Sequence, residues 1–393
     1  MSVFRGKTFL SFKDTGLRKA LVVVQFTISV ILIVGTLVIS FQLRYIEKID
    51  LGYDRSQVFS FSFPWWKIKG FDSKKSDELL RTVKNELKKQ SAVADIAIAS
   101  TDLVDFGSSS SGYFDWAGRP KDFEPSFAPL DADQDFQRLM HLQVKEGRWI
   151  NSEDVAHNNV VLNETALELT HLRKPFIGQR FVHQGDTGTV VGIVKDFHYR
   201  NLHDKIGPMV ISARAGDGFY IKTAPGNSQA AIEAVQKVWK KFFPDAPLEY
   251  SFLDDKYNSL YKTEQQSFEL VTLFAGIAIL VSALGLLGLA AFAAEQKVKE
   301  IGIRKVLGAN VRHIVSLVTA DFLKMVVVAS LIAFPIAWWA MNKWLQAFAY
   351  RIHLSWWIFI LAAAIAVIIA IITISTQTTK AALANPVKSL RNE

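Results

Sequence analysis

The stretch "ALVVVQFTISVILIVGTLVISF", residues 20–41, decides what kind of protein this is. Gln25 is its only strongly polar interruption, and at about 1.5 Å of rise per residue it is long enough to cross the roughly 30 Å hydrocarbon layer of a bilayer as a helix. A cleaved leader would have an apolar core of about 7–15 residues followed promptly by a small-x-small site, so this stretch reads as a retained anchor. Three more stretches qualify as spans: Leu270 to Ala294, about Met325 to Leu345, and Leu354 to about Thr376. The chain is 50% hydrophobic yet 21% charged, which implies one part in lipid and one part in water.

Lys and Arg orient the spans. Arg5, Lys7, Lys13, Arg18 and Lys19 precede the first; Lys297, Lys299, Arg304, Lys305 and Arg312 lie between the second and third; Lys380, Lys388 and Arg391 follow the fourth. Only Lys343 and Arg351 lie between the third and fourth. Both termini are therefore expected in the cytoplasm. Trp338, Trp339, Trp344, Trp356 and Trp357 form an aromatic belt at the opposite interface. The segmentation that follows is a cytoplasmic N-terminus (1–19), a first span (20–41) with a stalk to about 50, and an extracytoplasmic domain (51–262). A stalk with the second span (263–294), a cytoplasmic segment (295–313), a third span (314–345), a fourth (354–376) and a cytoplasmic C-terminus (377–393) complete it. Residues 50–262 carry 27 Lys and Arg against 29 Asp and Glu, so the positive charge sits beside the membrane. That distribution excludes a nucleic-acid-binding domain.

Within the external region, "QVFSFSF" alternates as a strand. "KKSDELLRTVKNELKKQ" puts Leu79, Leu80, Val83 and Leu87 on one helical face, and "VADIAIAS" is strand-like. The same order recurs in "GFYIKTA", "SQAAIEAVQKVWKKFF" (Ile232, Val235, Trp239 and Phe242 on one face) and "LEYSFL". Two α/β units at the two ends are expected to pack as one subdomain, with a β-rich subdomain inserted between them. "RFVHQGDTGTVVGIV" reads as a hairpin turning near Gly185 and Asp186. The serine-rich "FGSSSSG", residues 106–112, reads as a loop at the join. Leu253, Tyr257, Leu260, Tyr261 and Phe268 keep helical spacing into the second span, predicting one helix from about Asp255 to Glu295.

Between the second and third spans, Ile303, Val306 and Leu307 share a face, and Glu300 and Arg304 are spaced as an i,i+4 pair. Gly308 suits the residue after a helix end and Asn310 an N-cap. The pattern is a short amphipathic cytoplasmic helix, either an interfacial turn or a docking element for a cytoplasmic partner. "EIGIRKVLGAN", residues 300–310, closely resembles the cytoplasmic motif of the FtsX-like permease family, which includes the MacB-type ABC transporter permeases. The terminal "ALANPVKSLRNE" resembles that family's C-terminal signature. "EGRWINSEDVAHNNVVLNETA", followed by "IGQRFVHQGDTGTVVGIVKDF", resembles its external domain.

The resemblance implies an α-helical membrane protein of four transmembrane helices, with an extracytoplasmic α+β domain of porter-like and sabre-like subdomains. It implies a permease in a bacterial inner membrane that works by mechanotransmission. Glu300, Ile301, Gly302, Arg304, Lys305, Gly308 and Ala309 would couple it to a cytoplasmic ABC ATPase. The first span lacks the glycine-containing pattern of standard MacB-type proteins and looks more like the second half of the two-repeat permeases of Bacteroidota. A single four-span unit resembles half of a working permease, so a second half, identical or related, is expected beside it, and a periplasmic adaptor is a further partner.

Other chemistry is sparse. Cysteine is absent, which removes disulfides and thiolate sites. No G-x-x-x-x-G-K-[ST] occurs, so ATP belongs on a partner subunit and no cofactor or catalytic residue is assigned. Asp131, Asp133 and Asp135 begin like a calcium loop, but Phe136 stands where glycine is needed and Leu142 where the closing glutamate belongs. Asp196, His198, His203 and Asp204 cluster in "DFHYRNLHD", read as a polar loop rather than a metal site. In the second span, Ala278, Ser282 and Gly285 form a small-residue face for close helix packing, within the chain or between permeases. Two functions compete: export or efflux driven by a separate ATPase, and signalling of antibiotic peptides or envelope stress. Lipoprotein release is a variant of the first.

Overall fold

The computed structural model of the chain describes residues 8–64, 73–100, 103, 104, 106, 113–214, 216–296 and 311–383. Two compact units emerge, one of Met1–Lys48 with Thr263–Glu393 and one of Ile49–Lys262. In chain order, α1 (Thr8–Lys48) leads to β1 (Val58–Ser62), α2 (Ser73–Lys88), β2 (Val93–Ala99), β3 (Phe114–Trp116), β4 (Ala128–Asp131) and α3 (Phe136–Met140). There follow β5 (Val144–Gly147), α4 (Asp154–His157), β6 (Val160–Asn163), α5 (Glu164–Thr170), β7 (Arg180–His183), β8 (Asp186–Val194) and β9 (Met209–Ser212). The chain ends through β10 (Gly218–Thr223), α6 (Ser228–Phe242), β11 (Tyr250–Phe252), α7 (Leu253–Ser259), α8 (Lys262–Gln296), α9 (Val311–Leu345) and α10 (Trp356–Leu383).

In the external unit the two α/β repeats share one four-stranded antiparallel sheet, ordered β11-β1-β10-β2. With α2 and α6 this is the β-α-β-β-α-β arrangement of ferredoxin-like domains, split by a long insertion between β2 and β10. Its core is aromatic. Phe59, Phe61 and Phe63 project from and just beyond β1 onto Leu80, Val83 and Leu87 of α2 and Ile232, Val235 and Trp239 of α6. Leu79 and Phe242 lie at the margin of that core.

The insertion is a second sheet of seven strands, β3-β7-β8-β6-β9-β4 with β5 also on β8. Its β7–β8 hairpin turns at Gln184 and Gly185, one residue earlier than the sequence suggested, with Asp186 already paired to His183. Both turn residues have positive φ, 54° and 90°, as a type I′ turn requires. The two sheets meet where Ala99 bridges Ala132 and where Ser100 N–H donates to the Asp131 carbonyl at 2.7 Å.

In the other unit, α1, α8, α9 and α10 each contain a stretch long and apolar enough to cross a membrane. Their interior is mostly aliphatic and small: Val22, Phe26, Val30, Val34 and Val38 of α1, Ala329, Ala333 and Ala337 of α9, and Ala362, Ala366 and Ala370 of α10 are buried. The alanines recur every fourth residue, which places each set along one side of its helix. The continuous helix expected from about Asp255 does not form. Helix α7 ends at Ser259, Leu260 and Tyr261 make a turn, and α8 starts at Lys262. Periodicity survives across the break because Tyr257 and Tyr261 stay side by side, their rings 5.2 Å apart, and are both buried in the external unit.

Candidate functional site

The cytoplasmic motif residues Glu300, Ile301, Gly302, Arg304, Lys305, Gly308 and Ala309 lie outside the described residues, as do Asp105 and residues 107–112 of the serine-rich stretch. The helices on either side of the motif are described up to Gln296 and from Val311.

On α8 the small residues face α1. Ser282 is buried and its hydroxyl lies 3.0 Å from that of Ser29. Gly285 packs against Gln25: a Cβ there would sit 2.5 Å from the Gln25 Oε1 and 3.4 Å from Val22. Ala278 is half-buried. Gln25 Oε1 is buried without a hydrogen-bond partner among the described residues. Sequence reasoning passed over Gln42, which is fully buried. Its amide donates to the Tyr350 carbonyl at 3.0 Å and accepts from Ile352 N–H at 2.9 Å, fixing the segment between α9 and α10. A glutamine near the end of an apolar stretch was the available signal.

In the external unit, the three aspartates of "DADQD" hold the sheets together. Asp133 accepts bonds from Ile98 N–H, Asp135 N–H, Phe136 N–H and the Lys84 ammonium, and Lys84 also reaches Asp135 at 2.6 Å. Burial pushes the Asp133 carboxyl up despite the lysine beside it. Arg138 ties Asp135 to Asp95. In "DFHYRNLHD" the four residues do not converge. Asp196 accepts from Asn163 and Thr165, His198 is buried with its pKa pushed down by that burial, and His203 stacks on Tyr261. Among the described residues no group of three His, Asp or Glu side chains is placed to hold a metal ion.

Two hollows mark the external unit. One of about 420 Å³ lies between α2 and the insertion, bordered by Arg81, Lys84, Lys88, Asp133 and Arg214. Another of about 870 Å³ lies over Trp116, Phe123, Leu169 and Leu172. Among the described residues no nucleophile, base and orienting group meet in either, and at the second Trp116 Nε1 is engaged internally, donating to the Thr170 carbonyl at 2.9 Å.

A first membrane-length helix, a large two-sheet domain and three further membrane-length helices define a multi-pass membrane protein with an extracytoplasmic domain. Residues 20–238 match the MacB-like periplasmic core domain and residues 272–386 the FtsX-like permease C-terminal family. The chain belongs to this FtsX/MacB family of ABC transporter permeases. Among solved structures, the periplasmic region of MacB from Actinobacillus actinomycetemcomitans is similar at 18% identity, covering 55% of this chain and 97% of that one, with a TM-score of 0.37. The extracellular domain of the noncanonic ABC-type transporter YknZ from Gram-positive bacteria matches at 10% identity, 49% and 97% coverage and a TM-score of 0.35. A domain of a putative permease protein from Porphyromonas gingivalis matches at 13% identity, 50% and 89% coverage and a TM-score of 0.32. No curated protein matches the chain.

Proposed function

We propose that this permease receives ATP-driven movement from a separate cytoplasmic ABC ATPase through residues 300–309 and passes it along α1 and α8 to the external domain. The reading includes export or efflux across the envelope from a bacterial inner membrane, in concert with a second permease half. The observation that carries it is the order of parts: the FtsX-like match begins in the helix that leaves the external domain and runs through the "EIGIRKVLGAN" motif to residue 386. Glu300 and Arg304 would form the exposed charged pair of a docking helix, and Gly308 would let the chain turn into α9. Binding and hydrolysis of ATP then belong to the partner.

The test is co-purification in mild detergent. Arg304→Glu and Gly308→Val are expected to leave insertion and detergent stability nearly unchanged while weakening association with the ATPase. Full association and full activity in both variants would sink the reading.

A further inference from the structure

The chain enters the external unit after α1 and leaves it through α7, and both passages grip the same stretch of the insertion. On the way in, the Leu51 carbonyl accepts the His198 N–H at 2.8 Å. Gly52 follows at φ +79°, pressed so close that a Cβ would lie 2.9 Å from the Phe197 Cβ and 3.0 Å from the Asp196 carbonyl oxygen. Tyr53 then sets its ring edge-on to Phe197, 6.5 Å between centroids. On the way out, Tyr261 is buried, its hydroxyl accepts the Leu202 N–H at 2.8 Å, and its ring stacks on the His203 imidazole at 6.4 Å.

The gripped stretch is fastened to the insertion from behind. The Asp196 carboxylate accepts Thr165 N–H, Thr165 Oγ1 and Asn163 Nδ2 at 2.7–3.0 Å, and Asp196 N–H donates to Glu164. Tyr199 packs edge-on to Phe106, which also donates its N–H to the Tyr199 carbonyl. The outgoing passage is also tied to the incoming one, through Arg55 to Asp254 at 2.8 Å, and to β1 of the ferredoxin-like sheet, through Lys256 to Ser60 at 3.0 Å.

We propose that residues 196–204 form a transmission clasp, which takes up displacement of both chain passages and delivers it directly to the inserted subdomain. This is the part of "DFHYRNLHD" that metal chemistry leaves unexplained. The turn at Leu260–Tyr261 supports it: Tyr261 sits at the break between α7 and α8 and is seated there against Leu202 and His203. Tyr261 is a positioning residue: its hydroxyl, also bonded to Tyr257, accepts the buried Leu202 N–H, and loss of that hydroxyl leaves the N–H without this acceptor. The proposal rests on the reading that ATP-driven movement reaches the external domain.

The experiment uses the full chain co-purified with its ATPase in nanodiscs, with hydrogen exchange followed with and without ATP plus orthovanadate. Wild type is expected to change protection in 196–204 and in the strands β6, β8 and β9. Tyr261→Phe should lose that change while ATP hydrolysis stays at the wild-type rate and the melting temperature falls no further than in Trp116→Phe, which removes a buried bond and part of a packed ring away from the clasp. Gly52→Ala approaches the clasp from the other passage and should lose the same response. A full response in either variant overturns the clasp, also where the other fails to accumulate. An unresponsive wild type overturns the transmission reading itself, and is recognised before any variant is compared.

Discussion

The external unit and the membrane bundle are packed on opposite principles. Outside, the cores are made of large rings: Phe61 stacks on Phe219 at 5.0 Å and meets Trp239 edge-on at 5.3 Å, and Trp116, Phe127 and Phe181 repeat the pattern in the insertion. In the bundle, α9 and α10 bury a row of alanines alongside a few larger residues such as Phe322 and Ile358, and many large side chains are exposed, Leu284, Leu331 and Trp356 among them. The physical reason is the solvent. Removing rings from water drives folding outside, whereas lipid is as apolar as leucine, so helices gain from close approach and from the few polar groups they share. Shrinking a buried residue should therefore be the damaging change outside, and enlarging one should be the damaging change in the bundle.

The largest effect is expected from Phe219→Ala. Phe219 is fully buried between Phe61 and Phe63, and truncation there should cost about 3–5 kcal/mol. Denaturant unfolding of the full chain in detergent would read it as early loss of the external unit, and an unchanged midpoint would break the contrast.

Next comes a prediction about acid. His183 is buried against Phe114, its Nε2 lacks a partner among the described residues, and its pKa is held down to about 4 by burial, then by Arg214, with Asp186 opposing. A base whose folded pKa lies below its usual 6.5 leaves the unfolded chain binding more protons in between. The stability it contributes is complete above pH 6.5 and is lost as pH falls through about 4, a difference of about 3 kcal/mol. His183→Phe should remove that slope. Asp54 and Asp154, both lowered to about 2, stay ionised in the folded unit across that window and add their own loss only in stronger acid. At Asp54, burial raises the carboxyl but Lys222 and Ser56 outweigh it; at Asp154, burial is outweighed by Arg148, Asn159 and Asn151.

These two regions also differed in how readily their sequences could be read. Alternation in "VADIAIAS" and "GFYIKTA" marked β2 and β10, and four apolar runs marked the spans, because period and length are local properties. The strand order β11-β1-β10-β2 was out of reach, since it joins residues 59 and 252 through contacts no local pattern records. The α7–α8 break was hidden because Tyr261 keeps the helical spacing while its partners, Leu202 and His203, lie far away in sequence. The alanines of α9 and α10 were missed for another reason: a hydropathy window treats them as ordinary apolar residues, and only their four-residue spacing distinguishes them. The stretch "EIGIRKVLGAN" was legible as a family motif because its glycines and charges are local.

Ala333→Leu tests the bundle's side of the contrast. Ala333 is fully buried on α9, and three extra carbons at a close helix contact should cost about 1–3 kcal/mol. The matched change outside the interface, Leu331→Ala, removes a side chain that is 65% exposed and should hardly move the melting temperature in detergent. Equal losses from both would mean that α9 has no preferred packing face.

The smallest effect is expected at Gly285, although its geometry looks the most crowded. A Cβ there would sit 2.5 Å from Gln25 Oε1, closer than side chains tolerate. The obstructing atom is the far end of a flexible side chain, whose oxygen has no bond to lose among the described residues. A rotation of the Gln25 amide would clear the way, and alanine recovers up to about 1 kcal/mol of helix propensity relative to glycine. Gly285→Ala should therefore shift stability by less than about 1 kcal/mol in either direction. Gly285→Leu cannot be relieved by that rotation, because Val22 already stands 3.4 Å from the Cβ position, and it should push α8 off α1 and break the Ser29–Ser282 bond. Cysteines placed at 29 and 282 in this cysteine-free chain would report the separation: they should cross-link in the alanine variant and fail to do so in the leucine variant. Cross-linking in both would show that α8 meets α1 without needing the small residue, and the rule of close approach would then belong to α9 and α10 alone.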